Sequence, residues 1–287
     1  MNSSQFKRSE FRKFCFTIGA KPQDVLRISA TLDNNYQEWI EKKRDKKTND
    51  FKRYKDGTIK ERIIRPPRKE LKRLQSNLKN RILALIKLPD NIHGGVKKKS
   101  NITNAKKHQG KKYIFTTDLK DFYPSITSQQ VYDTFIKLGF STHYAHWITL
   151  LSTWKYELPQ GTPTSTHIAN LVFLETDKLL IDLCNKNNIT YTRYVDDLTF
   201  SSQQDFQNIL QDILSIVTRQ GFKLSYRKTK YCGNQTVTGI DVFLNKIDVP
   251  EKIKEKSKNE IEANLERKPY TDYMNNVRKT NKKIKLI

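Results

Sequence analysis

Apolar side chains recur at helical spacing along much of this chain. Leu71, Leu74, Leu78, Ile82, Leu85 and Ile86 share one helix face, which predicts a helix from about Arg68 to Leu88, stopped by Pro89. The first forty residues also read as helical, with Val25, Leu26, Ile28, Leu32, Trp39 and Ile40 at mixed spacing. Between these stretches, Phe51–Lys55 and Ile59–Arg65 flank Asp56-Gly57, a pair that favours a tight hairpin turn, and Pro66-Pro67 ends the second strand. Tyr113–Thr117 reads as a short strand running straight into Asp118. Helical patterns follow at 127–138, 141–154 and about Ser165–Lys186, the last opened by the loop Pro159-Gln160-Gly161-Thr162-Pro163. Ile189–Tyr194 and Leu198–Ser202 read as strands on either side of Val195-Asp196-Asp197, which puts the acidic pair at a hairpin tip. A helix near 205–220 ends at Gly221, Lys223–Tyr226 and Thr236–Leu244 read as strands, and the tail from about Pro250 is helical and charged. The middle third thus alternates strands and helices, and no internal repeat is visible.

The chain has 287 residues, enough for one large domain or two or three modest ones. With 36% of residues apolar and 10% aromatic, a wholly disordered chain is excluded. No window approaches the ~18 apolar residues of a membrane span. The opening residues MNSSQFKRSEFRKFCF hold no apolar run long enough for a secretory signal. Cys15, Cys184 and Cys232 are scattered and odd in number, which fits a reducing cytosol and argues against a disulfide frame or a zinc ribbon. A cytoplasmic protein without membrane contact is expected.

Charge changes the picture. The formal net charge is +24, and its distribution is uneven. Residues 41–112 carry 25 basic against 7 acidic side chains, whereas residues 113–245 carry 11 against 12. A short lysine run such as KKRDKK at 42–47 is ordinarily a solvated surface. An excess sustained over ~70 residues, beside a near-neutral segment rich in aspartate, points instead to a polyphosphate partner such as nucleic acid.

The candidate chemistry is acidic. Asp118 ends one strand, and Asp196-Asp197 lie between two others about eighty residues later. Separate strand ends that deliver carboxylates to one place suit a two-metal phosphoryl-transfer site, because magnesium takes carboxylate and phosphate oxygens. A lone Asp-Asp pair is more often a solvated turn. Here apolar residues flank it on both sides, and buried carboxylates need positive compensation. His143 and His146 have the spacing of a metal pair, but no third ligand is near, and they read as ordinary helix residues.

At these residues the sequence resembles reverse transcriptases, specifically those of bacterial retrons. Tyr194-Val195-Asp196-Asp197 matches the YxDD box, Thr117-Asp118-Leu119-Lys120-Asp121-Phe122-Tyr123-Pro124-Ser125-Ile126 the first aspartate box, and Leu158-Pro159-Gln160-Gly161-Thr162-Pro163-Thr164-Ser165 with Ala169-Asn170 the PQG box. Asn104-Ala105-Lys106-Lys107-His108 resembles the NAxxH signature of retron enzymes, and Val237-Thr238-Gly239 their VTG signature. The resemblance runs from about Arg62 to Asn245.

It implies an α+β right-hand polymerase. Its parts would be an N-terminal helical extension at 1–50, basic fingers at 51–112, a palm with a small antiparallel sheet packed on helices at 113–245, and a short helical basic thumb at 246–287. Asp118, Asp196 and Asp197 would hold two Mg²⁺ ions that activate a primer hydroxyl and neutralise the incoming triphosphate. Asp121 is an alternative ligand in the first box, with a helix cap or surface role the other reading. Lys228 resembles the palm lysine that protonates the pyrophosphate leaving group, unless it is a plain surface lysine. Arg62 resembles the fingers arginine that grips the triphosphate, with Lys52, Arg53 and Arg65 as competitors. Tyr123 occupies the steric-gate position that excludes a ribose 2′-OH, or is a core aromatic. Gln160 resembles the residue contacting template and nucleotide, and Gly161 permits close backbone approach. Asn104 and His108, four apart, would share a helix face and either brace a loop or contact RNA, and Lys97, Lys98 and Lys99 would contact RNA. The resemblance also implies deoxynucleotide substrates and a structured cognate RNA primed from a guanosine 2′-OH. The product would be a branched RNA–DNA, with a separate effector in defence against phage and no room here for a fused one. The alternatives are a group II intron-like enzyme and a catalytically silent RNA- or DNA-binding scaffold.

Overall fold

The computed structural model describes residues 3–44, 50–53 and 56–281. Part of the lysine patch at 42–47, the end of the strand expected at Phe51–Lys55 and residues 282–287 of the expected 246–287 segment lie outside them. In chain order the elements are α1 (Ser3–Thr17), α2 (Pro22–Ala30), β1 (Trp39–Lys42), β2 (Glu61–Ile64), α3 (Lys69–Arg81), α4 (Asn101–Lys106) and β3 (Tyr113–Asp118). Next come α5 (Ser128–Lys137), α6 (Thr142–Ser152), α7 (Ser165–Val172), α8 (Leu174–Lys186), β4 (Thr190–Tyr194) and β5 (Asp197–Ser202). The rest are α9 (Leu210–Arg219), β6 (Lys230–Cys232), β7 (Gln235–Val237), β8 (Ile240–Val242), β9 (Ile247–Asp248), α10 (Glu251–Glu262) and α11 (Pro269–Lys279). The fold class is α+β, and every named sheet is antiparallel. Among the described residues no helix is long and apolar enough to cross a membrane.

The chain forms two compact units that interleave in sequence: Met1–Leu88 with Asp121–Leu174, and Pro89–Lys120 with Glu175–Ile287. In the first unit, α3 buries Leu71, Leu74, Gln75 and Leu78 as the spacing predicts. It stops at Arg81 rather than Leu88, because Ile82 leaves the helical region and Leu83–Leu85 form a 3₁₀ turn. Trp39 and Ile40, read as helical, instead belong to strand β1, which pairs with β2 in the register Trp39↔Ile64, Glu41↔Arg62. Two adjacent apolar residues cannot separate the two periods, and here cross-strand pairing decides. The Asp56-Gly57 turn is present: Thr58 donates its backbone N–H to Asp56 Oδ1 at 2.9 Å, and Arg53 bridges Ile59. The single helix expected from Ser165 to Lys186 is broken at Phe173, which is fully buried and meets Phe122 edge-on at 5.8 Å between ring centres. Packing of that ring overrides the continuous helical pattern.

The second unit holds the sheet that positions the site, in the order β4-β5-β3-β6. Tyr191 stacks on Phe200 at 4.7 Å, and Phe115 lies 5.8 Å from Phe200, so three strands contribute one aromatic core. A smaller sheet, β7-β8-β9, packs with α4 and α11 through Ala105, Ile114, Val237, Ile240, Val242, Ile247, Val249 and Val277. The strand expected over Thr236–Leu244 is two strands joined at Thr238-Gly239, both with positive φ (46° and 82°), the turn a tight hairpin requires. Lys223–Tyr226 is not a strand. It makes one bridge, Leu119↔Leu224, and runs into a 3₁₀ turn at Tyr226–Lys228 before β6.

Candidate active site: three carboxylates at adjoining strand ends

The sheet brings the expected aspartates together by register. β3 and β5 pair so that Asp118 lies directly opposite Asp197, and Asp196 occupies the turn between β4 and β5. One oxygen from each of Asp118, Asp196 and Asp197 falls within 4.8 Å of the others. Like charges facing each other across a ladder are destabilising, and a proton or a cation relieves them. Backbone ties fix the arrangement. Leu119 N donates to Asp196 O at 2.9 Å, and Ser225 N to Asp118 O at 2.7 Å.

Electrostatics reports the same tension. Burial, and then the negative charges of Asp196 and Asp118, push the Asp197 carboxyl up to about 7. Lys228 partly compensates: its Nζ donates to Asp118 Oδ2 at 2.6 Å. Burial works against the ammonium's charge, but the hydrogen bond to Asp118 and the surrounding carboxylates outweigh it and hold its pKa above the usual lysine value. An all-oxygen donor set whose negative charge Lys228 only partly offsets fits a hard divalent cation. Asp121 is exposed, has a positive φ of 49° and belongs to the other unit. His143 and His146 join no group of three possible metal ligands among the described residues.

The Asn104 and His108 side chains are both fully buried, so neither reaches a surface that RNA could touch. His108 shares hydrogen bonds with Ser201 Oγ (2.7 Å) and Thr192 Oγ1 (2.6 Å), and burial drives its imidazole down to about 3. Asn104 Nδ2 donates to Thr238 Oγ1 at 3.3 Å, so the NAxxH and VTG stretches are joined inside the unit. Their position is that of internal braces, and exposure is left to the lysines. Lys97 and Lys98 are exposed, whereas Lys99 is half-buried and donates to Asp90 O at 2.7 Å.

In the first unit, Arg62 Nε donates to Glu41 Oε2 at 2.6 Å across β1 and β2, and both side chains are well exposed. Of its competitors, Arg65 is buried between Glu38 and Glu157 and lies over the Trp154 ring, and Arg53 donates to Gly57 O at 2.8 Å. Lys52 N donates along the ribbon to Lys43 O at 2.8 Å. Tyr123 is half-buried, and its hydroxyl shares a hydrogen bond with Thr166 Oγ1 at 3.0 Å. Gln160 O accepts from Arg65 N at 2.9 Å, and Gly161, with φ of 103°, is in a conformation that L side chains rarely adopt.

Sequence reasoning passed over three residues beside the aspartates. Arg193 and Asp177 form a fully buried ion pair, Nη2 to Oδ2 at 2.6 Å, and Gly94 lies against Val195. Asp177 could have been found, since it shares a helix face with Leu180 and Cys184, where a carboxylate is out of place without a cation. Nothing local marks Gly94.

The family model described as reverse transcriptase (RNA-dependent DNA polymerase) matches residues 42–259. The chain therefore belongs to the reverse transcriptase family. Within it, the chain is similar to the retron Ec86 reverse transcriptase of Escherichia coli, 34% identical over 200 residues that cover 68% of this chain and 62% of the relative. It is also similar to the retron Mx65 reverse transcriptase of Myxococcus xanthus, 32% identical over 206 residues covering 63% and 48%. Among solved structures, telomerase from Candida albicans in complex with a fragment of telomeric RNA covers 85% of this chain with a TM-score of 0.49 and 12% identity. The chain spans about half to three fifths of the length of these curated relatives.

Proposed function

We propose that this protein is an RNA-directed DNA polymerase of a retron, copying part of a structured cognate RNA into single-stranded DNA. Three carboxylates within 4.8 Å of one another, at strand ends carrying the first aspartate and YxDD boxes, carry this proposal. Similarity to the Ec86 and Mx65 retron enzymes supports the assignment within the family. Asp118, Asp196 and Asp197 would hold magnesium, which when bound neutralises phosphate charge and lowers the pKa of the primer hydroxyl. The primer hydroxyl loses its proton to solvent as its oxygen bonds to the α-phosphorus of a deoxynucleoside triphosphate, the bond from that phosphorus to the bridging oxygen breaks, and pyrophosphate leaves. Lys228, kept protonated by Asp118, supplies a proton to that leaving group. Arg62 grips the triphosphate, exchanging Glu41 for phosphate oxygens. Tyr123 selects against the ribose 2′-OH, and Gln160 and Gly161 contact the nascent pair.

In this reading 51–112 are fingers, 113–245 palm and 246–287 thumb, with 1–50 an N-terminal extension. The enzyme works in the cytoplasm, primes from a guanosine 2′-OH of its RNA, and acts with a separate effector in phage defence. Magnesium-dependent primer extension on an RNA template tests the reading. The double change Asp196→Asn, Asp197→Asn abolishes extension without unfolding the protein. Wild-type extension by that variant would overturn the mechanism, and a parent that does not extend would leave a nucleic-acid-binding scaffold. A product resistant to debranching enzyme would instead move the chain toward the group II intron-like enzymes.

A further inference from the structure

The tip of the catalytic hairpin is held in a conformation its sequence disfavours. Val195, β-branched, has a φ of +59°, in the left-handed region. Such a conformation persists only where the surroundings enforce it, and two groups of the second unit do so. The first is Arg193, among the largest fully buried side chains in the protein. Its Nη1 donates to the Val195 carbonyl at 3.0 Å. Its Nε and Nη2 donate to Asp177 Oδ1 and Oδ2 at 3.0 and 2.6 Å, and Tyr191 Oη donates to the same Oδ1 at 2.7 Å. The guanidinium is therefore locked to α8 at one end and to the hairpin tip at the other.

The second group is Gly94. A Cβ built there would lie 2.3 Å from Val195 N, 2.5 Å from Val195 Cγ2 and 2.9 Å from Tyr194 C. These are mostly backbone atoms, which cannot swing aside. Gly94 is not itself in the left-handed region, so space rather than backbone conformation excludes a side chain. The segment before it is pinned to β4, with Arg193 N donating to Asn91 O at 2.9 Å and His93 N donating to Arg193 O at 2.8 Å.

We infer that the Arg193–Asp177 pair and Gly94 form a positioning device: Arg193 pulls the Val195 carbonyl inward, Gly94 is the stop it rests against, and together they set where the Asp196 and Asp197 carboxylates stand opposite Asp118. The device acts through the turn and touches no reacting atom. It rests on the reading of those three carboxylates as the cation site. An apolar replacement of a buried ion pair often leaves stability intact, whereas removing one partner does not. The double change Asp177→Leu, Arg193→Met therefore removes the tie to Val195 while filling the core, and Gly94→Ala pushes the tip from the other side.

The test is a Mn²⁺ titration of the full chain followed by the electron paramagnetic resonance signal of free Mn²⁺, alongside thermal unfolding and RNA binding. Both variants are expected to unfold cooperatively, to bind Mn²⁺ at least fivefold more weakly than the parent, and to hold RNA within twofold of it. A folded variant with Mn²⁺ affinity within twofold of the parent overturns the inference. So does loss of cooperative unfolding in both, since the pair and the glycine would then be holding the fold rather than the carboxylates. A parent that binds no Mn²⁺, or whose binding survives Asp196→Asn with Asp197→Asn, fails at the cation site itself and is thereby told apart.

Discussion

Asp197 is the residue at which fold and chemistry pull hardest against each other. Its carboxyl is moved from 3.8 to about 7 by burial and by Asp196 and Asp118. In the folded protein it keeps a proton through a pH range in which the unfolded chain has released it. The folded state then binds more protons than the unfolded one, so this group's contribution to stability falls as pH rises from about 4 to about 7. His108, held down to about 3 by burial, acts in the opposite sense over part of that range, because the unfolded chain takes up the proton first as pH falls. A difference measurement separates the two. Without divalent ions, Asp197→Asn gains thermal stability relative to the parent between pH 5 and pH 8. At pH 8, millimolar Mg²⁺ closes the gap by stabilising the parent. A gap that is flat in pH, or indifferent to Mg²⁺, would show that Asp197 does not share a cation site.

At the scale of elements, the palm sheet was legible because its strands are short, apolar and end in residues of fixed chemistry. Tyr113–Asp118 and the two strands around Val195-Asp196 could be placed to within a residue or so from pattern alone. The places where pattern misled have a common cause, which is tertiary contact. Trp39-Ile40 took strand pairing with Ile63 and Ile64, Phe173 broke a helix to bury its ring, and Lys223–Tyr226 gave up strand form where Ser225 N binds the Asp118 carbonyl. Asn104 and His108 are both buried, but not as one helix face: α4 ends at Lys106, and His108 is buried from the turn two residues past its end. Asn104 lies in α4, which is short and depends on its cap. Ser100 Oγ accepts from Thr103 N at 3.3 Å, and Ser100 N donates to Thr103 Oγ1 at 2.9 Å, a reciprocal capping box. Ser100→Ala should cost about 1 kcal/mol of unfolding free energy. It would be read as a lower denaturant midpoint with an unchanged slope, and a shift below a few tenths of a kcal/mol would mean that packing against β8 and β4 holds α4 without the cap.

For the whole molecule the governing quantity is charge. Of the net +24, the 41–112 segment holds +18, while 113–245, which carries the aspartates, is at −1. Solubility needs no such separation, whereas binding to a nucleic-acid backbone would use it. Each neutralised phosphate releases condensed counterions, so affinity for an RNA–DNA duplex should fall steeply with salt. The three lysines of the 97–99 run differ in exposure. Lys97 and Lys98 are exposed. Lys99 is half-buried, and its Nζ donates to the Asp90 carbonyl and lies 3.5 Å from the Asp90 carboxylate. Reversing Lys97 and Lys98 to glutamate should lower both RNA affinity and the steepness of its dependence on salt. Lys99→Glu alone should change the slope less and stability more, because it places a second carboxylate beside Asp90. The nucleotide KM should barely move in any of them. A large rise in nucleotide KM with unaltered RNA affinity would assign this cluster to the triphosphate, and an unchanged salt slope in the double reversal would reduce it to a solubilising surface.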